Sequence, residues 1–257
     1  MADDTEIGGA GGKFPATRWS AVVAARSADP VERKRALETI IAAYWKPIYK
    51  YIRIRWGKSN EDAQDLTQQF FLRVIEKNDL ADFDPGKARL RTFLRVCTDH
   101  FVANEAKAAA RQKRGGGAQH ISLDFATAEA ELARAKPLLS SGASPESMDE
   151  FLEREFLRSL FSVSVESLRQ FCEGIGKKTH FRLFEIYVVS EPEEGDKRPG
   201  YKSLASRFGI AETDVTNYLA YAKREFRRIL LEKLREMTIS EEEFRREARA
   251  MLGVDVE

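Results

Sequence analysis

The sequence predicts an all-α protein built as two helical domains joined by a flexible linker. Three observations carry that reading. Apolar residues recur at spacings of three and four along almost the whole chain. Capping residues and glycine stops bracket those runs, and no segment shows the strict alternation of a strand. Thr17 is placed to cap a short helix through Ala25. Asp29-Pro30 is an N-cap followed by a proline at the first helical position, and it opens a long helix that Gly57 stops after Trp56. Ser59-x-x-Asp62 has the spacing of a capping box and opens a helix to about Lys77. After the loop NDLADFDPGK, a helix from about Ala88 to Arg114 ends on Gly115-Gly116-Gly117. These elements make a first domain over 14–114, behind a stretch, 1–13, read as disordered. Gly, Ser and Pro cluster over 115–145, which reads as a linker with one short helix near Thr127–Lys136. Helices expected at about 146–173, 178–190, 201–208 and 212–236 make a second domain over 146–237, interrupted by the polar loop SEPEEGDKRPG at 190–200. Ser240-x-x-Glu243 opens a tail helix at about 241–252, stopped by Gly253, within an acidic extension over 238–257.

Composition narrows the function. The 257 residues carry 42 Lys and Arg against 41 Asp and Glu, a net charge of +1. No apolar run approaches the length of a membrane span, and the start MADDTEIGGAGGKF has neither a basic n-region nor an apolar h-region. Two cysteines, Cys97 and Cys172, form no CxxC pair, so a cytoplasmic location is expected. His100, His120 and His180 lie at no ligand spacing from one another or from a cysteine. Neither a metal nor another cofactor is expected. Charge is nevertheless segregated: Gly86–Arg114 sums to +6 and Thr213–Arg235 to +3, whereas His120–Leu160 and Glu236–Glu257 each sum to −4. Separate basic patches let a neutral protein hold a polyanion locally.

Three segments carry candidate binding chemistry. YKSLASRFGIAETDVTNYLAYAKREF has the pattern of a helix-turn-helix. Ala205 permits close approach of the second helix, Gly209 supplies the turn and Ile210 plugs the angle. Val215, Leu219, Ala222, Phe226 and Ile229 form one buried stripe. The opposite side presents Thr213, Asn217, Tyr221, Arg224 and Arg228, flanked by Thr216. Short polar side chains in the first turns followed by arginines suit a helix that reads base edges in a major groove and meets phosphates further along. A solvated amphipathic helix in a bundle is the plainer alternative. In the helix at 59–77, Ala63, Leu66, Phe70 and Val74 face inward, and Asp62, Asp65, Gln68, Gln69 and Leu72 face outward. An apolar Leu72 among carboxylates and amides suits a protein partner, although a lone exposed leucine is common. In the helix at 88–112, Phe93 and Phe101 lie among basic residues, a combination that serves single-stranded DNA when the rings are free to stack and a core when they are not.

The order of EDAQDLTQQFFLRVIE, then FDPGKARLRTFLRVCTDHFVANEAKAAARQKR, then a terminal helix-turn-helix resembles the extracytoplasmic-function (ECF) class of bacterial RNA polymerase sigma factors, over about 30–114 and 178–236. The resemblance implies a non-enzymatic transcription initiation factor with core RNA polymerase and promoter DNA as partners, and an anti-sigma factor or other regulator as a further one. It implies that Asp62, Asp65, Gln68, Gln69 and Leu72 dock on polymerase. The helix with Arg95, His100, Asn104, Lys107 and Arg111 would melt and read the minus-ten element. The one with Thr213, Thr216, Asn217, Tyr221, Arg224 and Arg228 would read the minus-thirty-five element. His100 and Asn104 stand where the family often has Asn and Asp, and Thr216-Asn217-Tyr218 where it commonly has Lys-Ser-Arg; these differences bear on which promoter is read.

Two rival readings follow from the same residues. A stand-alone helix-turn-helix regulator that binds DNA without polymerase needs a symmetric dimer interface, and no heptad run supplies one. A metal-dependent nuclease built on Asp99, His100, Asn104 and Glu105 meets poor geometry, because neighbouring helical residues point about 100° apart.

Overall fold

The computed structural model describes residues 20–77, 79–84, 86–109, 121, 123–135, 145–190 and 198–255. Within them the chain forms ten α-helices: α1 Ala21–Ala24, α2 Pro30–Arg55, α3 Asn60–Lys77, α4 Leu90–Ala109, α5 Phe125–Ala135, α6 Pro145–Gly174, α7 Lys178–Phe184, α8 Tyr201–Phe208, α9 Glu212–Glu236 and α10 Glu241–Leu252. The disordered reading of 1–13, the Thr17 cap, the triple glycine and 191–197 of the long loop fall outside the described residues.

Local chemistry sets most boundaries. The Asp29 carboxylate accepts from the Val31 N–H at 2.9 Å, and the Ser59 hydroxyl accepts from the Asp62 N–H at 3.0 Å. Ser20 caps α1 by accepting from the Val22 N–H at 3.1 Å. Gly209 and Gly253 each follow a helix with φ +64°, the left-handed conformation that a side chain would strain. The single helix expected over 178–190 is instead α7 followed by a π turn over Glu185–Val189.

One continuous core joins α1 to α6 with the far end of α9 and with α10. Phe70 and Phe71 of α3, Phe101 and Val102 of α4, and Ile40, Tyr44 and Ile48 of α2 are all buried in it. The short linker helix α5 docks on α2, where the Phe125 ring packs against Trp45 at 5.4 Å and Tyr49 at 5.2 Å. The 30-residue α6 serves both halves of the molecule. Phe156 stacks on Tyr44 of α2 at 4.7 Å, and Met148, Phe151 and Leu152 enclose Tyr51. Further along, Leu168 and Cys172 pack with Phe181 and Phe184 of α7 and with Ala222 and Ile229 of α9.

Charged groups reinforce the seam between α2 and α6. The Lys50 ammonium lies 2.6 Å from both Glu155 and Glu131, and Lys46 lies 2.8 Å from Glu131. Glu155 also pairs with Arg158. Lys50 and Glu155 are almost completely withdrawn from solvent. A buried cation is tolerated there because carboxylates surround it.

Candidate nucleic-acid and polymerase interfaces

The helix-turn-helix forms as its sequence predicts. Leu204 and Ala205 of α8 and Val215 and Leu219 of α9 are buried together with Leu183 of α7. The turn is closed by the Ile210 N–H donating to the Ala205 carbonyl at 3.1 Å. With the inner face of α9 used in this way, Thr213, Thr216 and Asn217 stand exposed in its first two turns. The Thr216 hydroxyl donates to the Glu212 carbonyl at 3.2 Å, which leaves the oxygen's lone pairs outward.

Further along α9 the expected basic side divides. Arg224 is 70% exposed. Tyr221 is half-buried, and its ring carries the Lys177 ammonium 3.5 Å from its centroid and the Arg224 guanidinium at 5.1 Å. Arg228 is committed within the protein: it lies 2.9 Å from Glu225 and 2.8 Å from Glu232, with its guanidinium over Phe171 of α6. Its charge is largely compensated there. Tyr218 turns toward α7 and stacks on His180 with ring centres 3.9 Å apart. Burial, and then the nearby Lys177 charge, hold the His180 imidazole below its ordinary 6.5. Lys177, a cation beside the recognition helix, was not among the residues the sequence singled out; the local signal was the KK pair after the glycine that ends α6.

On α4, Val96, His100, Asn104 and Lys107 are exposed at spacings of 4, 4 and 3, a single outward stripe. Arg111 falls outside the described residues. Arg95 does not join the stripe. Its Nε lies 2.6 Å from Asp149 of α6 and its Nη1 3.3 Å from Asp99. Asp99 in turn accepts from the Tyr51 hydroxyl and from the Trp56 indole N–H, each at 3.0 Å. Burial above all pushes the Tyr51 phenol up to about 12, so it stays a donor. Of the two readings open for the aromatics of α4, the packing supports the core. Phe101 is buried against Phe70, and Phe93 packs on Phe83 at 5.2 Å, so neither ring is free to stack on a base.

On α3, Asp62, Asp65 and Gln69 are exposed, and Gln68 and Leu72 are half-buried. Ile75, one turn beyond Leu72, is 39% exposed. The outward face of α3 therefore pairs two apolar side chains with a run of carboxylates and amides. Spacing alone could have found Ile75, because residues three apart share a helix face.

Among the described residues, no group of three or more His, Cys, Asp or Glu side chains is placed to hold a metal ion. Among the same residues, no helix is long and apolar enough to cross a membrane. No curated protein and no solved structure matches the chain. A family model described as ECF sigma factor matches residues 34–174, from within α2 to the end of α6 and more than half of the sequence. The all-helical fold, the presence of a helix-turn-helix and this match agree, and the chain belongs to the ECF sigma factor family.

Proposed function

We propose that this sigma factor binds core RNA polymerase through the outward face of α3, presents α4 to the minus-ten element and lays α9 in the major groove of the minus-thirty-five element. In this reading, 14–114 is the polymerase and minus-ten module, 146–237 the minus-thirty-five module, 115–145 their connection and 238–257 an extension. The protein works in the cytoplasm, catalyses no reaction of its own, and answers to an anti-sigma factor or other regulator. The single observation that carries the reading is α9 itself. Its apolar stripe is spent on α6, α7 and α8, and Thr213, Thr216 and Asn217 remain outward at its start. That division of faces is what groove reading requires.

On α9, Asn217 is the base reader, because its amide both donates and accepts. Arg224 meets phosphate, with Lys177 beside it. On α4, His100, Asn104 and Lys107 are the contact stripe. Arg95 holds α4 to α6 in the closed molecule and becomes available only when the Asp149 pair opens. The test is co-elution with core polymerase on gel filtration, followed by run-off transcription from a randomised promoter library. Failure to co-elute, together with no gain of promoter-specific transcripts, overturns the proposal.

A further inference from the structure

The acidic tail helix α10 leaves the exposed first turns of α9 uncovered and packs on that helix's C-terminal half, beside Leu230, Leu234 and Met237. It folds back across the end of α9 and reaches the start of α4. Ser240 caps α10 by accepting from the Glu243 N–H at 3.2 Å, and Glu243 accepts from the Ile239 N–H at 2.9 Å, which fixes the chain's reversal. Phe244 is buried, with the Arg235 guanidinium 4.3 Å from its ring centre. One turn on, Glu247 lies 2.5 Å from Arg91 and 2.9 Å from Arg89, and its side chain is 3% exposed. Burial alone would lower the Arg91 guanidinium; the Glu247 charge and hydrogen bond outweigh it and raise it instead.

Arg89 and Arg91 sit at the N-terminal end of the 20-residue α4. The helix dipole disfavours cations at that end and favours anions. Two arginines there call for anions lying across them: Glu153 of α6 supplies one, 2.7 Å from Arg91 and 3.5 Å from Arg89 but 43% exposed, and Glu247 supplies the buried one from a segment 156 residues beyond Arg91. The family model stops at residue 174, so α10 lies outside what it matches.

We propose that α10 is a latch held in cis. Its Glu247 occupies the buried side of an anion site formed by Arg89 and Arg91, with the more exposed Glu153 on the other side, and the helix must leave before that pair can meet a DNA phosphate and before the two modules can part. This rests on the promoter-binding role above.

Four full-length proteins and one deletion test it: wild type, Glu247→Gln, the control Glu242→Gln, the double variant Glu247→Gln/Arg89→Gln, and a chain ending at Ile239. Glu242 is exposed, so its replacement removes the same charge from the same helix without touching the arginines. Small-angle scattering reads closure. Fluorescence anisotropy on a promoter duplex without polymerase, at several salt concentrations, reads DNA affinity. Glu247→Gln and the deletion should enlarge the radius of gyration and raise DNA affinity about tenfold, and Glu242→Gln should change affinity less than about twofold. Adding Arg89→Gln to Glu247→Gln should cancel much of the gain and lower the salt slope by about 1. The latch is overturned if Glu247→Gln and the deletion both keep wild-type size and affinity, if Glu242→Gln matches Glu247→Gln, or if the gain survives loss of Arg89. Co-elution with core polymerase runs in parallel. Its failure would remove the promoter-binding role, while the size contrast between Glu247→Gln and Glu242→Gln would still decide the latch.

Discussion

Glu155→Leu removes the buried one of the two carboxylates that hold the Lys50 ammonium and tests how the two halves of the molecule hold together. The Lys50 and Glu155 side chains are 3% and 2% exposed and 2.6 Å apart. Removing one member of such a pair costs about 3–5 kcal/mol, because the other is left charged and dry. Here Lys50 keeps Glu131, also at 2.6 Å but 35% exposed and so partly screened by water. The expected loss therefore sits at the low end, about 3 kcal/mol, or about 6–12 °C in Tm for a chain of this size. Lys50→Met should cost a similar amount, since Glu155 then retains only Arg158. The double variant Lys50→Met/Glu155→Leu removes both charges and fills the seam with apolar groups. It should return to within about 1 kcal/mol of wild type. Urea unfolding followed by far-UV circular dichroism gives all four corners of the cycle. If either single variant lies within about 0.5 kcal/mol of wild type, the pair is not the buried electrostatic tie described.

Leu72→Asp should weaken binding to core polymerase by about 2 kcal/mol with helicity intact, and Ile75→Asp should act in the same direction; unchanged affinity for both removes this face of α3 from the interface. Asn217→Ala should cost about 1–3 kcal/mol on the preferred promoter and relax preference at one or two base pairs, as read with holoenzyme on a randomised library. Arg224→Ala should lower the salt slope by about 1 with no change in preferred sequence, whereas Arg228→Ala should move it less, its charge being matched by Glu225 and Glu232. A larger effect at Arg228 than at Arg224 contradicts this placement of α9. His180 is held neutral by the fold, so its contribution to stability is present above 6.5 and is lost as pH falls through the depressed value. Its ring protons should titrate below 6.5 by NMR, and a midpoint at or above that value refutes the assigned burial.

The parts of this architecture legible in the sequence are those fixed within a few residues. Asp29, Ser59, Ser240, Gly209 and Gly253 announce their caps and turns, because each acts on backbone groups one to four positions away. The inner stripes of α3 and α9 are equally local. What escaped is long-range. Arg95 reads as an outward cation until Asp149, far along the chain, closes on it. Arg228 reads as a phosphate contact until Phe171 of α6 lies beneath it, although Glu225 and Glu232, three and four residues away, were local signals that it could be paired. Phe101 is indistinguishable from a stacking platform until Phe70 covers it. Pro47 is the converse case: local rules would end α2 there, yet the helix runs through to Arg55 because its flanks are held in the core. The tail's helix was readable from its cap, but its partners were not, since no periodicity links Glu247 to Arg89 and Arg91.

The sharing of α6 determines where the chain can be cut. At about 1.5 Å per residue its 30 residues span about 45 Å, and its first half is part of the core that covers α2. A fragment ending before Pro145 would bare Tyr44 and Tyr51, an apolar strip beside a Lys50 ammonium left with Glu131 alone, and should precipitate. One carried through Val163 keeps Phe151, Leu152, Glu155, Phe156 and Leu160 on α2. It also ends before Leu168 and Cys172, which belong to the other half. The practical seam for dissection thus lies in the middle of a helix rather than in the glycine-rich stretch that precedes it.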